Sequence, residues 1–343
     1  MRHANLLAKG EVPGATLQGV CDLNRERADA FAAEYGVTPF YDPAEMAGSG
    51  QIDALTVLTP SGLHAENVVK IAPFGKPIVV EKPMALKLED ADRVIEACDR
   101  HGVRLFIVKQ NRFNAPIVAL RRAIDEGRFG RMVLGTVRVR WCRRQDYYDE
   151  APWRGTWEND GGVLANQASH HVDMLVWMMG EVESVFARAS TALAQIEAED
   201  TAVVTLKFKN GALGIIEATT ATRPRDLEGS LSVLGEKGSV VVGGFAMNEL
   251  VSWEFAPQID SDQTVFDEHG HNPKHPYGYA HKCYYDHVVD CINNDKRQLV
   301  DGLGGRKSLE LISAIYESIE TGREIPIRFT PKRCRLGRPS NTP

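Results

Sequence analysis

The sequence predicts two domains in series, a doubly wound parallel α/β domain and then an α+β domain on a mostly antiparallel sheet. Short apolar runs alternate with helical segments through the first third, whereas after about residue 131 strand-like runs follow one another across tight turns. The length agrees: 343 residues exceed one ordinary domain and suit two of about 150 residues each.

Residues 16–21 read as a buried strand ending in Asp22. Ala28, Phe31 and Tyr35 lie at helical spacing, and Gly36 closes that helix as a C-cap. Residues 54–58 form a second strand, followed by the turn Thr59-Pro60-Ser61 and a helix from His64. Residues 77–80 and 105–108 are the third and fourth strands, with a helix over 89–101 between them. Such a sheet is parallel, covered on both faces, and gathers chemistry at the C-terminal ends of its strands. Those ends are Asp22, Thr59, Glu81-Lys82-Pro83 and Lys109-Gln110-Asn111-Arg112.

In the second part, residues 133–141, 184–191, 201–209, 212–220, 229–234 and 239–242 are strand-like. Asn210-Gly211 and Glu236-Lys237-Gly238 stand between consecutive strands as hairpin turns. Only 165–179, 279–293 and 303–321 look helical, and there is no internal repeat or low-complexity linker. The expected division is 1–112, 113–330, and a basic, disordered tail over 331–343.

Hydrophobic residues make up 43% and charged residues 25%, which excludes a mainly disordered or disulfide-scaffold chain. Forty Lys+Arg against 46 Asp+Glu leave a net charge of −6, the wrong sign for a non-specific nucleic-acid binder. No apolar run approaches the ~18 residues of a membrane span. Six scattered cysteines without a Cys-x-x-Cys pair fit reduced thiols in the cytoplasm.

A strand ending in Asp22 ahead of further βα units suggests the second strand of a Rossmann domain, whose acid hydrogen-bonds the adenosine ribose of NAD. A strand-end turn residue is the plainer alternative. The glycine-rich phosphate loop belongs about 20 residues earlier, yet no G-x-G-x-x-G stands there. Either the fold is not a dinucleotide fold, or the chain begins inside the first helix, with the first strand and loop upstream. Residues 2–8 already look like that helix, which favours truncation and weak NAD binding by the chain as written. Asp22 favours NAD over NADP, although Arg25 and Arg27 blur the preference.

Lys82, just past a buried strand, can aim its ammonium at a developing alkoxide, although a Lys-Pro turn is also common. After Gly161-Gly162 a helix begins, and Asn166, His170 and Asp173 fall on one of its faces. His170 there is a candidate general base, or else a histidine satisfied by Asp173; His171 faces elsewhere and is structural. Arg138 and Arg140 share one strand face and, with Arg143, Arg144, Tyr147 and Tyr148, form either an anion-binding wall or a solvated face. Trp153-Arg154-Gly155-Thr156-Trp157 continues that theme. Cys283, His287 and Cys291 are read as the buried side of a helix, His271 and His275 as part of a surface loop, and no metal site is expected.

With these residues in place, the chain resembles the Gfo/Idh/MocA oxidoreductase family along nearly its whole length. The likeness rests on T-P-S-x-x-H (Thr59 to His64), E-K-P, G-G-x-x-x-N-Q-x-x-H-x-x-D and the hairpins of the second part. A closer resemblance lies in 108–112, 145–149, 153–158, 166–170, 227–230 and 234–238, which look like the nucleotide-sugar 3-dehydrogenases acting on UDP-N-acetylglucosaminuronate in bacterial surface-polysaccharide synthesis. The resemblance implies a Rossmann domain, a large open-faced sheet through which dimers or tetramers assemble, and NAD. It gives cofactor contacts to Asp22, Thr59, Pro60, Ser61, His64 and Glu81, with Lys82, Gln110, Trp153 and Arg154 completing the set. Substrate contacts fall to Asn111, Arg112, Arg138, Arg140, Tyr148, Asn166 and Asp173. Lys82 and His170 become the chemical pair, since Asn166 stands where many members carry Asp, and His3 fits the family's histidine after the glycine loop. Free-sugar or inositol oxidation, and a non-catalytic remnant without the cofactor loop, are the competing readings.

Overall fold

The computed structural model describes residues 2–271 and 279–340. Two compact units emerge: Met1–Ala85 with Glu89–Lys109 and His281–Arg306, and Leu86–Leu88 with Gln110–Ala280 and Lys307–Pro343.

The chain opens with α1 (Arg2–Ala8), β1 (Gly19–Cys21), α2 (Arg25–Tyr35), β2 (Thr38–Phe40) and α3 (Pro43–Gly48). Then come β3 (Leu55–Val57), α4 (His64–Ile71), β4 (Ile78–Val80), α5 (Leu88–Arg100) and β5 (Leu105–Ile107). Local chemistry sets the boundaries. The Asn24 side chain accepts from Arg27 N at the start of α2, and Gly36 at φ 66 ends it in the left-handed region. Every residue of β4 and β5 is buried, as central parallel strands require.

All pairs in this unit are parallel, in two ladders, β1–β2 and β3–β4–β5. In the doubly wound order 3-2-1-4-5-6 they take the places 3-2 and 4-5-6. Among the described residues no strand takes the place between β1 and β3.

The second unit contains α6 (Ala115–Asp125), β6 (Met132–Arg140), α7 (Gln145–Asp149), α8 (Ser169–Met179), β7 (Val182–Ser190) and β8 (Thr201–Phe208). β9 (Leu213–Thr219), β10 (Glu228–Gly235), β11 (Gly238–Gly243), β12 (Glu249–Phe255) and α9 (Ser261–His269) follow. After α10 (Ala280–Asn293) and α11 (Gly302–Thr321), β13 (Ile325–Pro326) completes a sheet of order β12-β11-β10-β6-β9-β8-β7-β13. Only β6–β9 is parallel; the expected hairpins β8–β9 and β10–β11 are antiparallel. Val137 and Val139 are buried on one face of β6, and a side chain at Gly135 would strike Leu175 and Met179 of α8 on that same face. Arg138 and Arg140 alternate to the other.

Two boundaries need correction. Residues 281–306 belong to the first unit, because Ile107 N donates to Val300 O (3.3 Å) and Tyr285 reaches His3. The buried side of α10 is Tyr284, Tyr285, Val288 and Cys291; Cys283 and His287 are half-exposed, and His287 Nε2 accepts from Leu299 N. The tail from Pro331 is not loose: Leu336 is 1% exposed and Gly337 N donates to Trp157 O. His271 is exposed, and the remainder of its loop, with His275, lies outside the described residues.

Arg306, among the most buried large side chains, is met by both carboxylate oxygens of Asp92, at 2.5 and 3.1 Å. Asp92→Ala takes two charge-assisted bonds from that guanidinium and is expected to cost about 2 kcal/mol, read as a lower denaturant midpoint at unchanged slope. Asp92→Glu should recover part of it.

Candidate active site

The strand ends of the first unit are polar and partly open. Asp22, at the end of β1, accepts from Asn24 N (2.8 Å) and pairs with Arg27 (3.1 Å). It serves as a turn residue while leaving part of its carboxylate accessible. Thr59 is exposed, Pro60 half-exposed and Ser61 buried. His64, expected to touch cofactor, is buried with Nδ1 2.7 Å from Pro83 O and Nε2 2.8 Å from Thr59 O. It therefore ties the turn after β3 to the turn after β4. Burial lowers its pKa although both carbonyls favour the charged ring.

Glu81-Lys82-Pro83 follows fully buried β4, with a cis Lys82–Pro83 bond. Glu81 accepts from His3 Nε2 (2.8 Å) and from Lys82 N (2.7 Å), while Tyr285 OH lies 2.7 Å from His3 Nδ1. Burial alone would raise the Glu81 carboxyl, but the His3 hydrogen bond and the charges of His3, Lys82 and His281 hold it at about 2. Glu81 thus stays anionic beside Lys82. His3, Glu81 and His281 bring ligand-type atoms within 4.8 Å of one another, but hydrogen bonds already occupy both His3 nitrogens and both Glu81 oxygens.

In the second unit, a 3-10 turn over Gln110–Phe113 meets α8. Arg112 grips Asp173 with two bonds of 2.9 Å, and its guanidinium lies 4.7 Å from the centre of the Trp177 ring. His170 Nε2 lies 3.0 Å from Gln110 Nε2. Asn111 is buried beside Gln110. His171 is fully buried, edge-on to Trp141, and burial pushes it down to about 4, a structural role.

Asn166 donates to Asp160 (2.7 Å), whose other oxygen accepts from Gly155 N. Trp153 is half-exposed, and the Arg154 guanidinium stands over the Tyr147 ring and pairs with Glu150. Two expectations are corrected. Tyr148 is buried, with its hydroxyl 3.0 Å from Thr220 Oγ1 and pushed up to about 12 by burial; the accessible aromatic is Tyr147. Arg138 and Arg140 leave β6 on the face opposite α8, where Glu217 takes Arg140 at 2.6 and 2.8 Å and Glu228 takes it at 3.2 Å. These arginines brace the open sheet and form no wall beside His170. Arg143, on that expected wall, pairs with Asp226.

Glu199 escaped sequence reasoning, its only signal being an acid pair before a strand. Its Oε1 accepts from Leu164 N and Tyr316 OH (3.0 Å each), and its backbone oxygen accepts from Val163 N. A side chain at Gly162 would sit 2.2 Å from Glu199 O and Oε2, so that glycine is obligatory. The carboxyl thus clamps the loop that launches α8.

The residues fit a dinucleotide. Asp22 offers a part-open acceptor for a ribose diol at a strand end, and exposed Thr59 stands at the next. Residues 2–109 match "Oxidoreductase family, NAD-binding Rossmann fold" and 121–327 match "Oxidoreductase family, C-terminal alpha/beta domain". The chain belongs to the Gfo/Idh/MocA oxidoreductases and is an NAD-dependent dehydrogenase by fold and family. It is similar to the WlbA dehydrogenase from Bordetella pertussis, solved in complex with NADH and UDP-GlcNAcA: 45% identity, 95% of this chain and 94% of that one, TM-score 0.89. The corresponding Chromobacterium violaceum structure matches at 41% identity over 95% and 92%, TM-score 0.88. A scyllo-inositol 2-dehydrogenase (NAD(+)) of Bacillus subtilis is 27% identical over 98% of this chain and 94% of its own. No helix among the described residues is long and apolar enough to cross a membrane.

Burial raises Glu199 from 4.5 to about 7, the charge of Asp160 adding to it against the bonds from Leu164 N and Tyr316. A carboxyl with a raised folded-state pKa binds more protons folded than unfolded, so stability falls as pH rises from about 4.5 to about 7. The full loss, on the order of 3 kcal/mol, is present above that window. Glu199→Gln is expected to flatten the melting temperature between pH 5 and 8; a variant with the wild-type slope contradicts this.

Proposed function

We propose that the protein oxidises the 3-hydroxyl of a UDP-N-acetylhexosamine uronate, with NAD as oxidant, in bacterial surface-polysaccharide synthesis. The observation that carries this is likeness at 41–45% identity, over 95% of the chain, to two structures holding NADH and UDP-GlcNAcA. NAD supplies a hydride acceptor. The chain's residues handle the proton and the charge: His170 removes the hydroxyl proton, and the Lys82 ammonium offsets negative charge on the oxygen as the carbonyl forms. Asn166 cannot act as a second acid. Free-sugar or inositol oxidation is the second reading, favoured by the inositol dehydrogenase relative.

Six unpaired cysteines support work in the reducing cytoplasm. Val203, Leu213 and Ile215, exposed at 52%, 57% and 37% on the open face of β8 and β9, support self-association into a dimer or tetramer through that face.

Native mass spectrometry with NADH added in excess should find a UDP-sugar bound as well; NADH binding without UDP-sugar affinity favours the second reading. His170→Asn should lower turnover at least ~100-fold while UDP-sugar binding by calorimetry stays within about threefold; near-normal turnover excludes His170 as the base. Val203→Glu with Ile215→Glu should shift the light-scattering mass toward the monomer.

A further inference from the structure

Residues 332–338 are basic and form neither helix nor strand, yet they are pinned along their length. Lys332 N donates to Glu317 Oε2 (3.1 Å) and Arg335 N to Glu320 Oε1 (2.9 Å), both on α11. Leu336 is buried against Gly161, where an added Cβ would stand 2.7 Å from Leu336 Cδ1. Gly337 turns at φ 75, and its N–H donates to Trp157 O (2.8 Å). A side chain there would meet Lys87 Cγ at 2.7 Å and Leu86 Cβ at 3.1 Å. One short segment thus joins α11, the loop ahead of α8, and residues 86–87, which follow Lys82 closely in the chain.

We propose that residues 332–338 are a positioning strap for the candidate site, fixing the loop over residues 153–162 against α11. This rests on the reading of His170 as the base. The loop has no helix or strand of its own, and such a segment keeps its position through contacts from outside. Trp157 is held from three sides. Its N–H donates to Glu197 Oε2 (3.0 Å), its carbonyl accepts from Gly337 N, and its ring lies edge-on to Tyr316 at 5.3 Å. The loop in turn leads to the base. Gly162 O accepts from Asn166 N (3.1 Å), and Asn166 O accepts from Ser169 Oγ (2.7 Å), one residue before His170. A general base must meet its proton at hydrogen-bond distance, so a small shift of this loop is costly.

The hold of the strap lies in its apolar anchor. The Arg333–Glu320 pair, at 3.4 Å, has a largely exposed arginine and adds little. Leu336, by contrast, is removed from water, and a polar group in its place would be driven out of the packing.

The test compares the full chain with Leu336→Asp, Gly337→Ala and the conservative Leu336→Met. Hydrogen exchange read by mass spectrometry should rise ~10-fold or more at the amides of 153–162 in Leu336→Asp, while β6–β9 peptides stay unchanged. Gly337→Ala should move the same amides in the same direction, and Leu336→Met should keep the wild-type pattern. With saturating NAD and UDP-N-acetylglucosaminuronate, well below each melting temperature, kcat should fall ~10-fold in Leu336→Asp. It should stay within about twofold of wild type in Leu336→Met. Wild-type exchange of the loop in folded Leu336→Asp and Gly337→Ala overturns the proposal. Faster exchange with unchanged kcat overturns it too, since the segment then only packs. If Leu336→Asp does not fold, Gly337→Ala decides by the same two readouts. His170→Asn separates the failures: if it is inactive while the strap variants keep wild-type kcat, only the strap falls, and if it is active, the base assignment falls and the proposal with it.

Discussion

The second unit is organised around the buried ion pair of Arg112 and Asp173. Two full charges occupy a nearly dry place, joined by two bonds of 2.9 Å. The pair joins the turn after β5 to the first turns of α8, which are far apart in sequence. On the same helix, three residues before Asp173, His170 Nε2 lies 3.0 Å from the Gln110 amide nitrogen.

The same logic separates the other buried acids. Glu81 and Glu199 are both carboxyls removed from water, and their partners drive them to opposite ends. Glu81 has a histidine, a backbone N–H and the nearby Lys82 charge, and it stays ionised at about 2. Glu199 has only neutral donors, and burial leaves it at about 7. The first supplies a fixed negative charge next to Lys82. The second holds a loop through hydrogen bonds from Leu164 N and Tyr316 OH, which burial outweighs in setting its charge. Neither role is a property of the residue type, which is why composition and spacing alone do not assign them.

What sequence reading could see follows from this. The parallel strands, the Gly36 cap and the Asn210-Gly211 hairpin depend on neighbours a few residues away and were legible. β2 was missed because three residues with a proline carry little pattern, and β12 because a bulge opposite Val241/Val242 breaks the alternation. His170 and Lys82 were legible as chemistry-bearing types at an element's end. The errors lie where long-range pairing decides. Arg138 and Arg140 carry a pattern that fits an anion wall or an ion-paired face equally, and Glu217 and Glu228 from other strands decide for the second. Tyr148 looked available until Thr220 was seen to hold its hydroxyl. No local signal announces the return of residues 281–306 to the first unit, because the tie to β5 is made by backbone atoms of Val300.

Asn166 shows how one substitution redistributes chemical roles. Its amide donates at 2.7 Å to Asp160, which is buried and also holds the Gly155 backbone. An aspartate at that position would set two carboxylates against each other, and like charges at such a distance cannot both ionise. One would have to keep a proton, or the loop from Gly155 to Asn166 would have to open. The asparagine instead donates to Asp160, and the loop stays closed ahead of α8. The cost is the loss of a second acid on the face that carries His170.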